Sequence, residues 1–309
     1  MVSRPLPAIA AEPARGRRAP GDVLRGMVRT MRPQQWTKNV FVFAGLVFAR
    51  AFLDPGAIPR ALWAFGAFCL LSSCVYFLND YVDRERDRLH PRKRERPMAS
   101  GLLRPGEGLL GALVLGLGGL AASLGLGGGF LLIAAGYLAL NLLYSFGLKH
   151  VALWDALAIA GGFVLRALAG TQALLPHLTA SPWLLVCTYL LALYLSLGKR
   201  WADAVNLEPG EREYRKAALV YEPAMVRLFM QVAMAATLLS YALYAVQGPH
   251  SPWILLTLPF VIYGLFHYQH MVESRALGGS PDSAIFQDRS FLVNGALFAL
   301  VALTVVIFT

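Results

Sequence analysis

The chain has 309 residues, of which 57% are hydrophobic and only 15% charged, and its mean hydropathy is +0.53. Ordinary soluble domains carry about 25% charged residues, so this composition excludes a soluble globular protein and indicates a membrane protein. The net charge of +10 is by itself no evidence for nucleic-acid binding, because the cytoplasmic loops of membrane proteins collect Lys and Arg.

The N-terminal segment is rich in Ala, Pro and Arg and lacks the apolar stretch that a signal peptide needs. We therefore interpret residues 1–22 as a disordered basic tail, in which Arg15, Arg17 and Arg18 contact anionic lipid headgroups. Residues 23–309 are predicted to form a single transmembrane domain.

Apolar runs separated by Gly, Pro and charged residues predict an all-helical bundle of about nine membrane spans. In chain order they lie near 36–54, 61–79, 107–124, 128–147, 154–174, 183–200, 227–246, 253–271 and 291–309. Basic residues gather in the N-terminal segment and in the second, fourth, sixth and eighth connections. By the positive-inside rule, this distribution places the N-terminus and those connections in the cytoplasm. We expect a multi-pass protein of the cell membrane whose polar loops face the cytoplasm.

Three aspartates follow the second predicted span at helical spacing, namely Asp80, Asp83 and Asp87. This spacing places them on one face of a helix that continues out of the membrane. Like charges arranged in this way repel one another, whereas a hard divalent cation such as Mg²⁺ favours them and brings a bound phosphate as a further ligand. The alternative is a solvated helix end that is neutralised by Arg84, Arg86 and Arg88.

A strongly basic segment comes directly after the acidic face. It contains Lys93, Arg94 and Arg96, which are candidate ligands for phosphate oxygens. Because Pro91 and Pro97 interrupt the helix, this segment is able to fold back over the acidic face. Carboxylates and basic groups brought together in this way suit a metal-bridged diphosphate, with Mg²⁺ on the acids and phosphate oxygens on the bases.

The sequence NDYVDRERD at 79–87, followed by RPMASG at 96–101, resembles the NDxxDxxxD signature of the UbiA superfamily of intramembrane prenyltransferases. Further segments resemble the decaprenyl-phosphate phosphoribosyltransferase branch: RPQQWTKN at 32–39, HPRKRERPMASG at 90–101, YSFGLKH at 144–150, GFVLRALAG at 162–170, GKRWAD at 198–203 and QDRSFLV at 287–293. The resemblance implies a UbiA-like bundle and a transferase, with Asp80, Asp83 and Asp87 as its catalytic aspartates and Mg²⁺ ligands.

The connection between the sixth and seventh spans departs from the superfamily pattern. Most members carry a second Asp-rich motif there, which holds a second metal. This chain has Lys199 and Arg200 instead, and Asp203 is the only carboxylate close to the span. With bases in place of acids, one metal-diphosphate site remains, and the other side of the pocket favours a phosphate that carries no metal. Phosphoribosyl pyrophosphate and a polyprenyl phosphate together present this pattern of phosphates, so we expect them as substrates. Ordinary positive-inside anchoring is the alternative for Lys199 and Arg200.

Arg166 lies in the middle of an apolar run. A charge there costs roughly 2.5–3.5 kcal/mol on insertion scales, so Arg166 is expected to face the bundle interior and a partner. Asp155 is a candidate for that partner, or for the mouth of a polar cavity, because the two residues lie about three turns apart on nearly the same helix face. A purely structural Arg–Asp pair is the other interpretation.

Further candidate residues lie at the predicted cytoplasmic ends of the spans. Lys38 and Asn39 open the first span, Tyr144 and Lys149 close the fourth, and Asp282, Asp288 and Arg289 match the closing motif of the branch. The substrate-binding residues that we predict are Lys38, Asn39, Asn79, Lys93, Arg94, Arg96, Tyr144, Lys149, Arg166, Lys199, Arg200, Asp288 and Arg289.

No Ser-His-Asp or Cys-His arrangement is evident in the sequence. A phosphate nucleophile is already anionic at neutral pH, so its attack on the ribose C1 needs no strong general base. The expected product is a polyprenyl-phosphoryl 5-phosphoribose, which in the resembled branch is a precursor for arabinose-containing cell-wall polymers.

Two other functions remain open at this point. One is a UbiA-type prenyltransferase that moves a polyprenyl group from its diphosphate to an aromatic acceptor. The other is a transporter or lipid-binding scaffold, in which the acidic cluster binds a cation without chemistry. The sequence indicates no nucleic-acid partner and leaves the oligomeric state open.

Overall fold

The computed structural model describes residues 19–48, 51, 54–174, 181–206, 221–247, 252–274 and 288–308, and in these ranges the regular structure is helical. The α-helices are α1 (Pro20–Met31), α2 (Ala44–Phe48), α3 (Ala57–Leu89), α4 (Pro105–Leu124), α5 (Gly128–Phe146), α6 (Trp154–Leu174), α7 (Pro182–Asn206), α8 (Pro223–Gln247), α9 (Leu258–Glu273) and α10 (Arg289–Phe308). Short 3₁₀ helices cover Pro33–Phe43, Lys93–Glu95, Leu148–His150 and Pro252–Thr257.

Helices occupy all nine predicted spans, so the all-helical fold is confirmed. Seven helices in the described ranges, α3 to α8 and α10, are long and apolar enough to cross a membrane. The first predicted span is a 3₁₀ helix that continues into the short α2, and the eighth is a 3₁₀ helix that continues into α9. Helix α1 was not predicted. It begins at Pro20, inside the segment assigned to the basic tail, while Arg15, Arg17 and Arg18 lie outside the described residues.

Helix α3 carries the acidic face out of the membrane. At 1.5 Å per residue its 33 residues span about 50 Å, which exceeds the roughly 30 Å of the hydrocarbon core. The helix ends at Leu89 because His90 precedes a proline and adopts an extended conformation. Helix α4 then begins with Pro105 at its first position, and Glu107 accepts a hydrogen bond from the Arg104 N–H at 2.7 Å.

Four buried apolar clusters hold the described part of the bundle together, and two of them are much larger than the others. Of these two larger clusters, one joins α3, α5 and α6 around Phe68, Phe130 and Tyr137, and the other joins α7, α8 and α9 around Tyr194 and Tyr268. Helix α6 packs against both α5 and α7, so it connects the two halves.

The crossing of α6 with the first predicted span brings backbone against backbone. A Cβ atom at Gly170 would lie 1.8 Å from the carbonyl oxygen of Val42, and one at Gly45 would lie 2.8 Å from the backbone nitrogen of Thr171. Both positions therefore require glycine. This close approach brings the Pro33–Phe43 helix within reach of Arg166.

Candidate functional site

The charged residues gather at one end of the bundle, which we call the polar end. It comprises α3 from Asn79 onward, the start of α6, the last turns of α7 and the loops beside them. The basic segment folds back there as predicted: Arg96 Nη1 lies 2.7 Å from Asp87 Oδ2 and 3.3 Å from Asp80 Oδ1. The turn is built by His90, whose Nδ1 accepts hydrogen bonds from the backbone N–H groups of Arg92 and Lys93.

A second arginine reaches Asp80 from the other side. Arg32 Nη2 lies 2.5 Å from Asp80 Oδ1, and the guanidinium stands 5.0 Å from the centre of the Tyr76 ring. Arg32 adopts a left-handed conformation with φ +52°, and this sharp turn separates α1 from the following 3₁₀ helix. The side chain is thereby aimed at α3.

These residues surround a cavity of about 230 Å³, whose lining consists of Arg29, Arg32, Asp80, Arg92, Glu95, Arg96 and Pro97. Four arginines face two carboxylates in this lining, so the cavity favours an anionic ligand. Asp80 is only 2% exposed, and its Oδ2 atom is buried without a hydrogen-bond partner. An orphaned buried carboxylate oxygen is costly and is characteristic of a site that a ligand or ion completes.

The three aspartates have different neighbours. Asp80 and Asp87 both contact Arg96, whereas Asp83 Oδ1 lies 2.6 Å from Lys149 Nζ. Nearby, Asn79 Oδ1 accepts a hydrogen bond from the Ser145 hydroxyl at 2.6 Å, which joins α3 to α5. Within the described ranges, no three His, Cys, Asp or Glu side chains stand close enough together to enclose a metal ion. Basic side chains therefore neutralise the acidic face in this structure.

A second charged centre lies between the start of α6 and the end of α7. Asp155 Oδ2 lies 2.6 Å from Arg200 Nε, and Asp155 Oδ1 accepts a hydrogen bond of 2.6 Å from the Tyr221 hydroxyl. That hydroxyl in turn accepts a 2.5 Å hydrogen bond from the backbone N–H of Leu153, which has a φ of +67°. Burial, with the hydrogen bond to Asp155, raises the pKa of Tyr221 to about 12, so the hydroxyl keeps its proton at neutral pH.

The two centres are neighbours through α5. Tyr144 lies within electrostatic range of Arg200, Asp155 and Asp83. Lys149, one turn further along the chain, is bound to Asp83. Burial lowers the pKa of the adjacent His150, and the charges of Lys149 and Arg86 lower it further, so this histidine is neutral at pH 7.

Arg166 faces the bundle interior as predicted, but its partner is not Asp155. Its Nε donates to Asn39 Oδ1 at 2.8 Å and its Nη2 to the Tyr137 hydroxyl at 2.8 Å. Asp155 is engaged by Arg200 instead, because α7 stands beside the start of α6. Asn39 is fully buried and also donates to Ser72 Oγ, so it joins Arg166 in an interior network rather than lining the cavity. Substrate contact by Asn39 and Arg166 stays a prediction.

Other predicted residues lie at the polar end without lining the cavity. Lys38 and Lys93 are half-buried, whereas Arg94 and Lys199 are exposed. Their roles stay predictions.

The closing motif places Asp288 at the start of α10. Its Oδ1 accepts the Phe291 N–H at 2.7 Å and lies 3.0 Å from His267 Nε2. These contacts hold the pKa of Asp288 below its usual value, first through the backbone N–H and then through His267. Arg289 is exposed in the first turn of α10, and Asp282 lies outside the described residues.

The predicted site residues did not include several residues of the two centres and of the Arg166 network. Arg32 belongs to a segment that resembles the branch, so its motif offered a signal, whereas Arg92 belongs to the basic segment that was already predicted to bind phosphate oxygens. Arg29 belongs to α1, which the apolar pattern did not reveal. Tyr137 and Tyr221 gave no signal, since a lone tyrosine has no distinguishing spacing.

Comparisons with known proteins show which family the chain belongs to. The chain matches the UbiA prenyltransferase family over residues 39–294. It is 34% identical to a decaprenyl-phosphate phosphoribosyltransferase of Corynebacterium glutamicum, with 91% of this chain and 86% of the relative covered. It is 32% identical to a protein of the same name from Mycobacterium tuberculosis, with 87% of this chain and 90% of the relative covered.

A solved structure shares the fold. A UbiA homolog from Archaeoglobus fulgidus bound to DMAPP and Mg²⁺ superposes with a TM-score of 0.72 at 18% identity, covering 92% of this chain and all of that one. The resemblance to the UbiA superfamily and to its phosphoribosyltransferase branch is thus confirmed. The chain is a multi-pass membrane protein and belongs to the UbiA prenyltransferase family.

Proposed function

We propose that this protein is a polyprenyl-phosphate phosphoribosyltransferase. It moves the 5-phosphoribosyl group from phosphoribosyl pyrophosphate to a polyprenyl phosphate such as decaprenyl phosphate, and it releases pyrophosphate. The relatives that carry the name decaprenyl-phosphate phosphoribosyltransferase support this assignment along about 90% of the chain. The observation that carries it is the arginine-lined cavity around Asp80.

The cavity suits the phosphate groups of the donor. Arg29 and Arg92 line it without an ion pair among the described residues, and Arg32 and Arg96 hold only one oxygen of Asp80 between them. Arginine presents a planar fork of donors that matches phosphate oxygens. A donor with three phosphate groups could therefore bind the unpaired guanidinium groups directly. It could also bind Arg32 and Arg96 in exchange for their contacts with Asp80.

The carboxylates on the acidic face of α3, of which Asp80 lines the cavity, suit Mg²⁺. Asp80, Asp83 and Asp87 would hold it, because hard cations prefer carboxylate oxygens and Asp80 Oδ2 already lies buried without a partner, but the three side chains do not stand close enough in this structure to enclose an ion and would have to move together. When bound, the ion supplies positive charge that stabilises the departing pyrophosphate. The arginines and Lys149, which pair with the aspartates in this structure, would then be available to bind phosphate oxygens.

The second centre suits the acceptor phosphate. Lys149, Tyr144 and Arg200 present donors beside Asp83, and no carboxylate stack faces them from α7. Asp155 balances the Arg200 charge and fixes its position. A lipid phosphate approaching from the bilayer meets hydrogen-bond donors here, as an anionic acceptor requires.

The reaction follows from this placement. An oxygen of the lipid phosphate forms a bond to C1 of the ribose while the bond from C1 to the pyrophosphate oxygen breaks, and the electron pair leaves with pyrophosphate. The nucleophile carries negative charge already, so no proton has to be removed. The protein contributes alignment of the two anions and stabilisation of their charge. The site faces the cytoplasm, since the polar end carries the basic residues.

The direct test uses the purified full-length protein in proteoliposomes with radiolabelled phosphoribosyl pyrophosphate, decaprenyl phosphate and Mg²⁺. We expect label in the lipid phase with equimolar pyrophosphate, and loss of both when EDTA removes the metal. Arg32→Gln should raise the KM for phosphoribosyl pyrophosphate about 10- to 100-fold, because a charged hydrogen bond is worth about 1.5–3 kcal/mol. Arg104→Gln, which removes an exposed arginine outside the cavity lining, is the matched control.

The aromatic prenyltransferase is tested in the same preparation. Prenyl diphosphate and an aromatic acceptor replace the two phosphoribosyl substrates. Pyrophosphate release in this mixture, together with no labelled lipid in the first, would reject the phosphoribosyl assignment in favour of prenyl transfer. Binding of the donor without either product would indicate the scaffold function instead.

A further inference from the structure

Helix α1 (Pro20–Met31) has two apolar stripes, of which only one is covered by protein. Val23, Met27 and Met31 pack against the buried cluster around Phe77 and Leu103. This inner stripe fixes α1 across the polar end of α3.

The outer stripe is open. Leu24 is 66% exposed and Val28, one turn later, is 47% exposed. Arg25 and Arg29 occupy the adjacent stripe, and both are exposed without an ion pair to any described residue. An apolar pair bordered by unpaired arginines is the pattern of a helix that lies in a membrane interface.

The depth of α1 agrees with this interpretation. A Cβ atom at Gly111 would lie 3.3 Å from Met27 Sδ, so Met27 reaches α4 at this level. Gly111 lies six residues beyond Pro105, or about 9 Å into α4. The exposed leucines of this membrane-spanning helix begin at the same level, with Leu109 and Leu110. Helix α1 therefore lies where the hydrocarbon region starts.

We propose that α1 is an interfacial helix that docks on the anionic headgroups of the surrounding bilayer, with Leu24 and Val28 inserted among the lipids and Arg25 on lipid phosphates. Charge complementarity selects the lipid: zwitterionic headgroups neutralise Arg25 poorly, whereas anionic ones attract it. The docking does not rest on the proposed function.

Docking has a consequence for the cavity at Asp80. Helix α1 supplies Arg29 to the cavity lining and is followed directly by Arg32. A helix held by the bilayer on one side and by α3 on the other fixes both arginines. The lipid surface thus becomes part of the support of the anion-binding cavity.

The test measures depth rather than activity. A nitroxide label is placed on the full-length protein in nanodiscs at Val28→Cys or, as a solvent-facing control, at Glu85→Cys on α3. The unsubstituted protein, labelled in parallel, gives the background from its native cysteines. We expect relaxation by oxygen and protection from a water-soluble nickel complex at position 28, and the reverse at position 85. Equal nickel access at both positions would overturn the proposal.

A second arm tests the lipid charge. Replacing neutral nanodiscs by discs with phosphatidylglycerol should reduce nickel access at position 28 by about threefold or more. Arg25→Gln should remove this dependence, whereas Arg86→Gln, which deletes another exposed arginine, should keep it. Insertion that ignores lipid charge would contradict the anionic partner. If position 28 were protected from both oxygen and the nickel complex, and labels on two chains showed dipolar coupling, this surface would bind a second copy of the chain. That result would overturn the proposal.

Discussion

Asp80 and Asp155 are both aspartates at the polar end of the bundle, and each is 2% exposed, yet their surroundings differ. Both oxygens of Asp155 are engaged, one by Tyr221 and the other by Arg200. Asp80 directs one oxygen at Arg32 and Arg96, and its other oxygen has no partner. Each oxygen of Asp155 thus has a partner, whereas one oxygen of Asp80 has none.

This difference separates a carboxylate that holds a neighbouring arginine in place, as Asp155 holds Arg200, from a carboxylate that faces the donor cavity, as Asp80 does. A buried carboxylate is tolerated when both of its oxygens have partners, so the pairing of Asp155 with Arg200 and Tyr221 stabilises the junction of α6 and α7. The centre at Asp80 keeps unsatisfied capacity beside a cavity, which is what a bound diphosphate and its metal would use. We therefore expect substitutions at Asp80 to affect turnover most, and substitutions at Asp155 to affect stability most.

The largest expected effect is on turnover at Asp80. Asp80→Asn keeps the volume but removes the charge that faces Arg32 and Arg96, and we expect turnover to fall on the order of 10³-fold through lost charge stabilisation. Label transfer in proteoliposomes measures this, with Glu85→Gln as control because Glu85 is an exposed acid on the same helix. Turnover within threefold of the original protein would rule out the assignment of Asp80.

Asp155→Asn tests the other side of the comparison. The amide still accepts from Tyr221 but leaves Arg200 without its buried counterion, so unfolding should become easier by about 3 kcal/mol. Asp203, 3.9 Å from Arg200, compensates only weakly. Thermal unfolding in detergent checks this, and Asp203→Asn should cost less than about 1 kcal/mol. If Asp80→Asn destabilised the protein more than Asp155→Asn, this would contradict the assignment of the larger stabilising role to Asp155.

Tyr221→Phe sharpens the comparison at a single hydroxyl. It removes the hydrogen bond to Asp155 and leaves the Leu153 N–H without an acceptor, which should cost about 1–3 kcal/mol of stability. The KM for phosphoribosyl pyrophosphate should stay unchanged, because the Asp80 cavity does not include Tyr221. A tenfold rise in that KM, measured beside the melting temperature, would contradict the separation of the centres.

The smallest expected effect is at Leu153. Its backbone has a φ of +67°, which is strained for a residue with a Cβ atom, and its side chain is 41% exposed. Leu153→Gly should stabilise the protein by up to about 1 kcal/mol, since glycine adopts this conformation without steric cost. Leu143→Gly, on the exposed side of α5, should instead destabilise by about 1 kcal/mol. A loss of stability with both substitutions would show that the Leu153 side chain matters more than its backbone.

Much of the fold was accessible from the sequence because the features that reveal it are local. Apolar runs of about 20 residues specify spans, and His90-Pro91 specifies the end of α3. The contact of Arg96 with Asp80 and Asp87 was foreseeable as well, since only a short turn separates the acids from the bases. Helix α1 was missed because its apolar stripes are narrow and interrupted by arginines.

The sequence by itself determined that this protein is a helical membrane bundle with an acidic face and a basic segment at one end. Tertiary structure alone decided which polar side chains meet: Arg166 with Asn39, 127 residues away, and Arg32 with Asp80, 48 residues away. Helical hydrogen bonds and burial depend on neighbours within one or two turns, so a local pattern reveals them. Pairing between helices depends on how closely they cross, which contacts such as Gly170 against Val42 set only in the assembled bundle.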